Sequence, residues 1–355
     1  MVMKLLFPVF LLSVPSWTVS FEKDPTDWLN SSDDKISNTT QYYLSSQWLI
    51  KFVPSVYTLV VVVSLPLNIL AVIVFVFNIK MEKGAMVYML NLAVADVLFV
   101  SVLPFNIAYR FSGNNWIIGD GMCRFVTAAF YCNMYCSILL MTSISVDRFL
   151  AVVYAIKSLS WRTKTRAWTA CSFIWIISIA SSLPLLTSKQ TFYIDTLNIT
   201  TCHDVLYISE LQNFYKYYFT TFSLLCFFLP LIVISTCYIS IIKKLSTKNN
   251  EKSRKRTRAV ILTVIVFSSF LICFAPTNII FLIHYLHFQN KMESMYFAYI
   301  LCTCISSIST CLDPFIYYYA SSKYRKYTYS LLANVMQSRL TREKELSTES
   351  TSASK

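Results

Sequence analysis

Seven long apolar runs separated by short polar segments are the most regular feature of the chain. Each run has about 20 residues or more, which is enough for an α-helix to cross about 30 Å of hydrocarbon. The runs lie near residues 50–78, 85–110, 122–154, 167–186, 214–245, 258–286 and 294–320. This pattern predicts an all-α membrane protein whose residues 50–320 form a seven-transmembrane helix bundle.

The chain before the first apolar run is expected to have two parts. Residues 1–20 combine an early Lys4 with a short apolar run at residues 5–12, which is typical of a cleaved signal peptide. The alternative, an eighth spanning helix, is disfavoured because the run is short and two prolines interrupt it. We expect residues 21–49 to form an extracellular N-terminal segment.

An amphipathic stretch and a polar tail follow the last apolar run. Residues 321–335 place apolar side chains on one helical face and basic side chains near the start, so they predict a short amphipathic eighth helix along the inner membrane surface. The apolar face consists of Tyr324, Tyr327, Leu331 and Val335. Residues 336–355 are polar and rich in Ser and Thr, and they predict a disordered cytoplasmic tail.

Basic residues are concentrated in alternate loops. If the N-terminus lies outside, the inner loops carry Lys80, Lys83, Lys157, Arg162, Lys164, Arg166, Lys243, Lys244, Lys248, Lys252, Arg254, Lys255, Arg256 and Arg258. The outer loops carry chiefly Lys189, Lys216 and Lys291. This asymmetry predicts a multi-pass plasma-membrane protein with an extracellular N-terminus and a cytoplasmic C-terminus. The net charge of +13 then reflects topology and contact with membrane lipid, and no nucleic acid is needed to explain it.

The composition argues against soluble enzymes that bind nucleotides in glycine-rich loops. Only 14% of the 355 residues are charged, against about 25% in soluble domains, and 55% are hydrophobic. Four glycines cannot supply the loops of Rossmann or P-loop proteins. We therefore expect no enzymatic activity.

Two kinds of covalent modification are expected on the outer side. Among eleven cysteines, Cys123 at the outer end of the third run and Cys202 in the following outer loop face an oxidising space, which predicts a disulfide. A zinc site built from these cysteines and the three histidines is disfavoured. Glycosylation sequons begin at Asn30, Asn38 and Asn198, all on the outer side of this topology.

Two acidic residues lie inside apolar runs, where charge is costly and usually functional. Asp96 falls in the second run and Asp313 in the seventh, with Asn68, Ser137 and Ser309 as expected neighbours. Two ionised carboxylates at one depth repel each other, and a sodium ion, a shared proton or both would relieve this repulsion. The alternative is a neutral acid hydrogen-bonded to its neighbours. No other metal or cofactor is expected.

An acid and a base stand together at the inner end of the third run, in Asp147-Arg148-Phe149. The arginine can be held by its neighbouring acid, or it can meet another protein that enters from the cytoplasm. Prolines inside the runs free backbone carbonyl groups and create hinges, among them Pro230 and Pro276.

The motifs of the seven runs together resemble the rhodopsin-like G-protein-coupled receptors. The matching positions are Asn68, Leu92 to Asp96, Cys123, Asp147-Arg148, Trp175, Pro230, Tyr238, Phe270 to Pro276, and Asp313-Pro314-Phe315-Ile316-Tyr317. The resemblance implies a receptor that activates heterotrimeric G proteins and is desensitised by an arrestin-type partner. It implies a G-protein switch at Asp147, Arg148 and Tyr238, a hinge at Phe270, Phe274 and Pro276, and a place for Tyr317 beside the buried acids.

A narrower resemblance concerns the outer loops. Thr200-Thr201-Cys202-His203-Asp204-Val205 is similar to the protease-activated receptors, and residues 125–135, 158–163 and 296–299 are similar to the thrombin-receptor type within that family. The family's tethered peptide agonist implies a ligand site at His203, Asp204, Leu206, Tyr285 and Tyr299. Asp204 would pair with a ligand cation while the tyrosines accept an aromatic group.

The N-terminal segment departs from that family. No Arg precedes Arg110, whereas thrombin prefers to cut after Arg, so Lys35 followed by Ile36 is the favoured site for any cut. A soluble or differently processed peptide agonist and a truncated sequence remain as alternatives. Two other classes of function are less favoured: a transporter or channel, because no internal repeat is found, and a non-signalling decoy or helper receptor, because the Asp147-Arg148 pair is intact.

Overall fold

The computed structural model describes residues 42–78, 84–205, 216–246, 254–286 and 292–353. Within these residues, seven helices are long and apolar enough to cross a membrane, which confirms the predicted bundle. We number the helices in chain order and include π-helical turns in the helix that they interrupt. The elements are α1 (Trp48–Phe52 as a π turn, Val53–Ile73, and Val74–Asn78 as a π turn), α2 (Gly84–Phe111), α3 (Asp120–Val153), α4 (Lys164–Thr187), β1 (Thr191–Ile194), β2 (Ile199–Cys202), α5 (Lys216–Ser223, the π turn Leu224–Phe228, and Leu229–Ser246), α6 (Arg254–Ser269, the π turn Phe270–Phe274, and Ala275–Leu286), α7 (Met292–Ala320) and α8 (Ser322–Ala353).

Prolines explain three of the π turns. The turns in α1, α5 and α6 each end two residues before a proline, at Pro54, Pro230 and Pro276. A proline has no N–H for the carbonyl four residues earlier, and its ring presses on that carbonyl. A widened π turn relieves the contact at the cost of helical regularity. The regular hydrogen bonding of α5 and α6 is therefore interrupted at these sites.

Helix α3 lies at the centre of the bundle, since it packs against α2, α4, α5 and α6. Its large side chains Tyr131, Tyr135 and Met141 are fully buried. The neighbouring helices are joined by a polar contact as well, because the Trp175 indole N–H of α4 donates to Asn91 Oδ1 of α2 at 3.0 Å. A rigid centre of this kind fixes the outer and inner ends of α3, where the functional side chains lie.

The outer end of the bundle carries the antiparallel hairpin β1–β2, with Thr191 opposite Cys202. Backbone contacts fasten it, since the Trp116 N–H donates to the Thr200 carbonyl at 2.7 Å. Asp120 at the start of α3 accepts hydrogen bonds from the Gln190 N–H and from the Thr191 hydroxyl. The hairpin is thus fixed to α3 and to the loop after α2.

Helix α8 is longer than the sequence predicts. Ser321 caps its start by accepting a hydrogen bond from the Tyr324 N–H, and the Tyr324 ring stacks on Phe75 of α1 at 5.4 Å. The helix continues to Ala353 instead of ending near residue 335, so the residues predicted as a disordered tail are helical as far as Ala353. Residues 336–353 contain no Gly or Pro, and Arg, Glu, Lys and Leu among them favour helix.

Candidate functional site

The outer site is built around the predicted disulfide, which is confirmed. Cys123 of α3 is bonded to Cys202 of β2, with the Cα atoms 5.7 Å apart. The bridge presents the two residues after Cys202 to the bundle. His203 adopts a left-handed conformation (φ 61°) and its N–H donates to the Gln190 carbonyl at 2.8 Å, so the chain turns inward at this position.

A chain of hydrogen bonds runs from this loop into the helices. His203 Nδ1 lies 2.7 Å from Gln190 Oε1, His203 Nε2 lies 3.1 Å from the Tyr131 hydroxyl, and the Tyr131 hydroxyl lies 3.2 Å from that of Tyr299. Two of the predicted ligand residues, His203 and Tyr299, are therefore brought together through Tyr131, which the sequence did not single out. The chain joins the second outer loop to α3 and α7.

The protonation of His203 follows from its partners. Gln190 Oε1 only accepts, so Nδ1 carries the proton. Burial lowers the pKa of His203 to about 4, and the imidazole is neutral at extracellular pH. Its Nε2 then accepts from Tyr131, whose oxygen in turn accepts from Tyr299. The network has one direction throughout and carries no net charge.

Asp204 does not offer its charge to the site in the way the sequence suggests. Arg110 at the outer end of α2 grips both carboxylate oxygens, with NH1–Oδ2 at 2.7 Å and NH2–Oδ1 at 2.8 Å. The Tyr109 hydroxyl donates to Oδ2 at 2.5 Å. In this conformation the carboxylate is already paired with a cation, and the role of Asp204 in binding a ligand stays a prediction.

The side chains of the two remaining predicted ligand residues are not among those that the structure describes. Leu206 lies outside the described residues, and Tyr285 is placed in α6 but its side chain lies outside the described part of the chain. Sequence reasoning missed Tyr109, Arg110 and Tyr131. An arginine at the outer end of a spanning helix was a signal for Arg110, since a buried guanidinium needs an acid.

The buried polar centre lies deeper in the bundle. Asp96 and Asp313 are fully buried and interact electrostatically, and their carboxylate oxygens have no hydrogen-bond partner among the described residues. The hydroxyls of Ser137 and Ser309 are buried and likewise without a partner there.

Asn68 and Tyr317 border this centre. Pro314 leaves the Thr310 carbonyl without its helical partner, and Asn68 Nδ2 donates to that oxygen at 2.9 Å. The Tyr317 hydroxyl donates to Asn68 Oδ1 at 3.4 Å. Asn68 of α1 is thus bonded to the backbone of α7 and to Tyr317, and Asp96 of α2 interacts with Asp313 of α7.

At the inner end of α3, Asp147 pairs with Arg162 of the following loop and not with its neighbour Arg148. Arg162, from the loop before α4, donates to both oxygens of Asp147 at 2.8 and 2.9 Å, and this hydrogen bonding raises the pKa of Arg162. Arg148 makes no ion pair with Asp147 among the described residues, and its buried Nε donates no hydrogen bond there. The Tyr238 hydroxyl of α5 lies 2.6 Å from Ser145 Oγ, one turn before Arg148.

The predicted hinge lies within the π turn of α6. Phe270 and Phe274 are fully buried at its two ends, and Pro276 follows. Phe270 stacks on Phe227, which belongs to the π turn of α5, with ring centroids 5.3 Å apart and planes 8° apart. The two helices therefore meet at their irregular turns.

The outer modification sites are covered only in part. Asn198 lies in the turn between β1 and β2, where its Oδ1 accepts from the Tyr193 hydroxyl at 2.7 Å. Asn30, Asn38 and the candidate cleavage residues Lys35 and Ile36 lie outside the described residues.

Comparisons with known proteins agree with this architecture. A family model described as "7 transmembrane receptor (rhodopsin family)" matches residues 67–317. Proteinase-activated receptor 1 of Xenopus laevis is 62% identical over 297 residues, which cover 84% of this chain and 70% of the relative. The receptors of the same name from Homo sapiens and Bos taurus are 57% and 55% identical over 299 residues, again 84% of this chain and 70% of each relative. The chain belongs to the rhodopsin family of seven-transmembrane receptors and, within it, to the proteinase-activated receptors.

Proposed function

We propose that a peptide end bound in the outer site, beside His203 and Tyr299, shifts the bundle to a state in which Arg148 contacts a heterotrimeric G protein. The observation that carries this proposal is the pairing at the inner end of α3. Arg162 takes both oxygens of Asp147, so Arg148 is not held by its neighbouring acid. Arg148 is half-buried beside the cytoplasm, so it is available to a protein that docks there.

The route between the two sites follows α5 and α6. Tyr131 of the outer network contacts Phe219 of α5 with ring centroids 5.2 Å apart, and Phe219 precedes the π turn that stacks on α6. A ligand shifts this equilibrium only by binding one conformation of the outer site more tightly than the other. Bending of α5 and α6 at Pro230 and Pro276 would then open the inner face.

The Arg148 role is tested by Arg148→Ala. We expect agonist-stimulated nucleotide exchange on the G protein to fall at least about tenfold at unchanged surface expression, because the buried contact to the partner is lost. The control is Arg166→Ala, which removes an exposed arginine of α4 whose side chain bonds the Ser160 carbonyl. Full activation by Arg148→Ala, or an equal loss in both variants, would contradict the role.

A sodium ion fits the buried polar centre. Sodium takes oxygen ligands, and the unpartnered oxygens of Asp96, Asp313, Ser137 and Ser309 in the described part of the chain are of that type. These residues would hold the ion, which would offset the repulsion of the two carboxylates in the resting state. The alternative is a shared proton.

The orientation and the remaining partners belong to the same proposal. Basic inner loops support a cytoplasmic C-terminus, and the buried Tyr324 with exposed Lys323 nearby suits α8 to the inner lipid surface. Phosphorylation of the Ser and Thr residues after residue 336 would recruit an arrestin-type desensitiser. The same topology places a glycan on Asn198 outside the cell and has the signal peptide at residues 1–20 removed.

The proposal also includes a source for the peptide agonist. A cut after Lys35 would expose Ile36 as a new N-terminus, and a soluble or differently processed peptide remains the alternative.

A further inference from the structure

The loop between α3 and α4, residues 154–163, is fastened to the end of α3. The hydroxyl of the buried Ser158 donates to the Leu150 carbonyl at 3.0 Å, and the Ser158 N–H donates to the Tyr154 carbonyl at 2.9 Å. The Arg162 N–H in turn donates to the Ser158 carbonyl at 3.0 Å. The end of α3 therefore determines where the backbone of Arg162 lies.

The same loop packs closely against the start of α2. A Cβ atom on Gly84 would lie 3.3 Å from the Thr163 carbonyl oxygen and 3.6 Å from that of Arg162. One turn further along α2, Tyr88 interacts electrostatically with Asp147. Contacts with α2 and α3 thus fix Arg162 at the place where its guanidinium group reaches Asp147.

Two guanidinium groups lie near the carboxylate of Asp147. Arg162 donates to both oxygens, and the side chains of Arg162 and Asp147 are 21% and 6% exposed. Arg148 interacts electrostatically with both groups, since Asp147 attracts it and Arg162 repels it. Because a buried carboxylate without a cation is strongly unfavourable, the loss of Arg162 would drive Asp147 to pair with Arg148.

We infer that Arg162 is a positioning residue for G-protein coupling, because it occupies both oxygens of Asp147 and so leaves Arg148 for the partner at the inner face, an inference that rests on the proposed role of Arg148. The loop between α3 and α4 then controls the contact arginine without touching it through a hydrogen bond. Without Arg162, Asp147 holds Arg148 and coupling falls.

The first test measures thermal unfolding of the purified full-length receptor, which needs neither an agonist nor a G protein. In the unmutated background, Arg148→Ala should change Tm by less than about 1 °C, because Asp147 keeps its pair with Arg162. In the Arg162→Ala background, the same substitution should lower Tm by about 3 °C or more, since Asp147 then loses the cation that replaced Arg162. The difference between the two backgrounds measures the pairing of Arg148 with Asp147.

The second test measures GTP analogue binding, without agonist, in membranes that carry the receptor and a heterotrimeric G protein. Arg162→Ala should lower this exchange about fivefold at unchanged surface expression, because Asp147 holds Arg148. Asp147→Asn in the Arg162→Ala background should restore it to within about twofold of the unmutated receptor, since no carboxylate is left to hold the arginine. A loop that had merely lost its structure would not be rescued by this second substitution.

Two single variants complete the test. Arg162→Lys keeps a cation beside Asp147 but loses the two-point contact, so it should lower exchange only about twofold. Its loss, reversed by Asp147→Asn, is the readout if Arg162→Ala does not fold. Arg166→Ala removes an exposed arginine of the same region and should behave like the unmutated receptor.

Equal effects of Arg148→Ala on Tm in the two backgrounds would overturn the inference. Normal exchange by Arg162→Ala, or a loss that Asp147→Asn does not reverse, would overturn it as well. Full exchange by Arg148→Ala in the unmutated background would instead contradict the proposed function, and the thermal test would still show whether Arg162 keeps Asp147 and Arg148 apart.

Discussion

Four aspartates of this receptor are buried in or near the membrane-spanning helices, where charge is costly, and they fall into two pairs with different surroundings. Asp147 and Asp204 are each gripped at both oxygens by a guanidinium group. Asp96 and Asp313 have no such partner in the described part of the chain. Because an uncompensated buried carboxylate is strongly unfavourable, the first two are fixed parts of the fold, and we propose that the second two form a site for a cation or a proton.

The buried acids give a prediction about sodium. If activation collapses their cavity, sodium binds the resting state better and holds it. Replacing Na⁺ by N-methylglucamine should then raise basal nucleotide exchange roughly fivefold, and Asp96→Asn should remove this response. The measurement is GTP analogue binding in membranes without agonist.

Asp195→Asn, which changes an exposed acid of the outer turn, is the matched control and should keep the sodium response. Indifference of the unmutated receptor to Na⁺ would count against an ion at this centre and favour the shared proton.

The ion-pair partners of these acids could not be predicted from the sequence. Asp96 and Asp313 are predicted because acids inside apolar runs are rare, whereas Asp147 is predicted from its position beside Arg148 and Asp204 from the family resemblance. Arg110 and Arg162 were not assigned to them, since the partners of Asp204 and Asp147 lie 94 and 15 residues away. Only the packing of the helices brings such groups within 3 Å, and no local pattern encodes it.

Among the secondary-structure elements too, features that depend on nearby residues are predicted from the sequence. The seven runs and the prolines predict the helices and the hinges directly, because both depend on residues within one or two turns. The π turns before Pro230 and Pro276 refine that prediction. Helix α8 extends beyond the predicted end near residue 335, because the end of an amphipathic face does not by itself end a helix.

The contact between α2 and α4 gives a prediction about packing. A Cβ atom on Gly84 would lie 3.2 Å from Ala167 Cβ and 3.3 Å from the Thr163 carbonyl oxygen. Gly84→Val should therefore force the helix ends apart and destabilise the receptor by about 1–3 kcal/mol, in spite of the better helix propensity of valine.

Thermal unfolding of the purified receptor measures this effect. Gly121→Ala is the control, because a Cβ atom there meets nothing within 4 Å, and its Tm should stay the same or rise slightly. A Tm for Gly84→Val equal to that of the unmutated receptor would mean that α2 and α4 do not approach as closely as described.

At the scale of the whole molecule, the pattern of hydrophobic residues predicts the seven-helix architecture. The spacing of apolar runs gives the bundle, and one disulfide between Cys123 and Cys202 closes its outer end. Residues 67–317 contain the features that define the family. The way in which a receptor is switched on depends on its N-terminal segment, which packing within the bundle does not determine.

The N-terminal segment gives the last prediction, because a tethered agonist requires a cut within it. Three lysines after the predicted signal peptide offer a site: Lys23, Lys35 and Lys51. Lys51 lies inside α1, and Lys23 is followed by Asp24-Pro25, a poor pair for a serine protease. Ile36 and Val53 are 17 residue steps apart, which span up to roughly 56 Å when extended, and a reach of this length requires residues 42–52 to leave the helical turns that they form here. A receptor with an epitope after Ser20 is exposed to thrombin or to trypsin while epitope loss and calcium release are followed. We expect thrombin to cause neither epitope loss nor calcium release and trypsin to cause both. Lys35→Ala should abolish the trypsin response, and Lys23→Ala should keep it.

Thrombin-dependent epitope loss with signalling would contradict the inference from the missing arginine. Trypsin signalling that survives Lys35→Ala would exclude this site, and epitope loss without signalling would favour a soluble peptide.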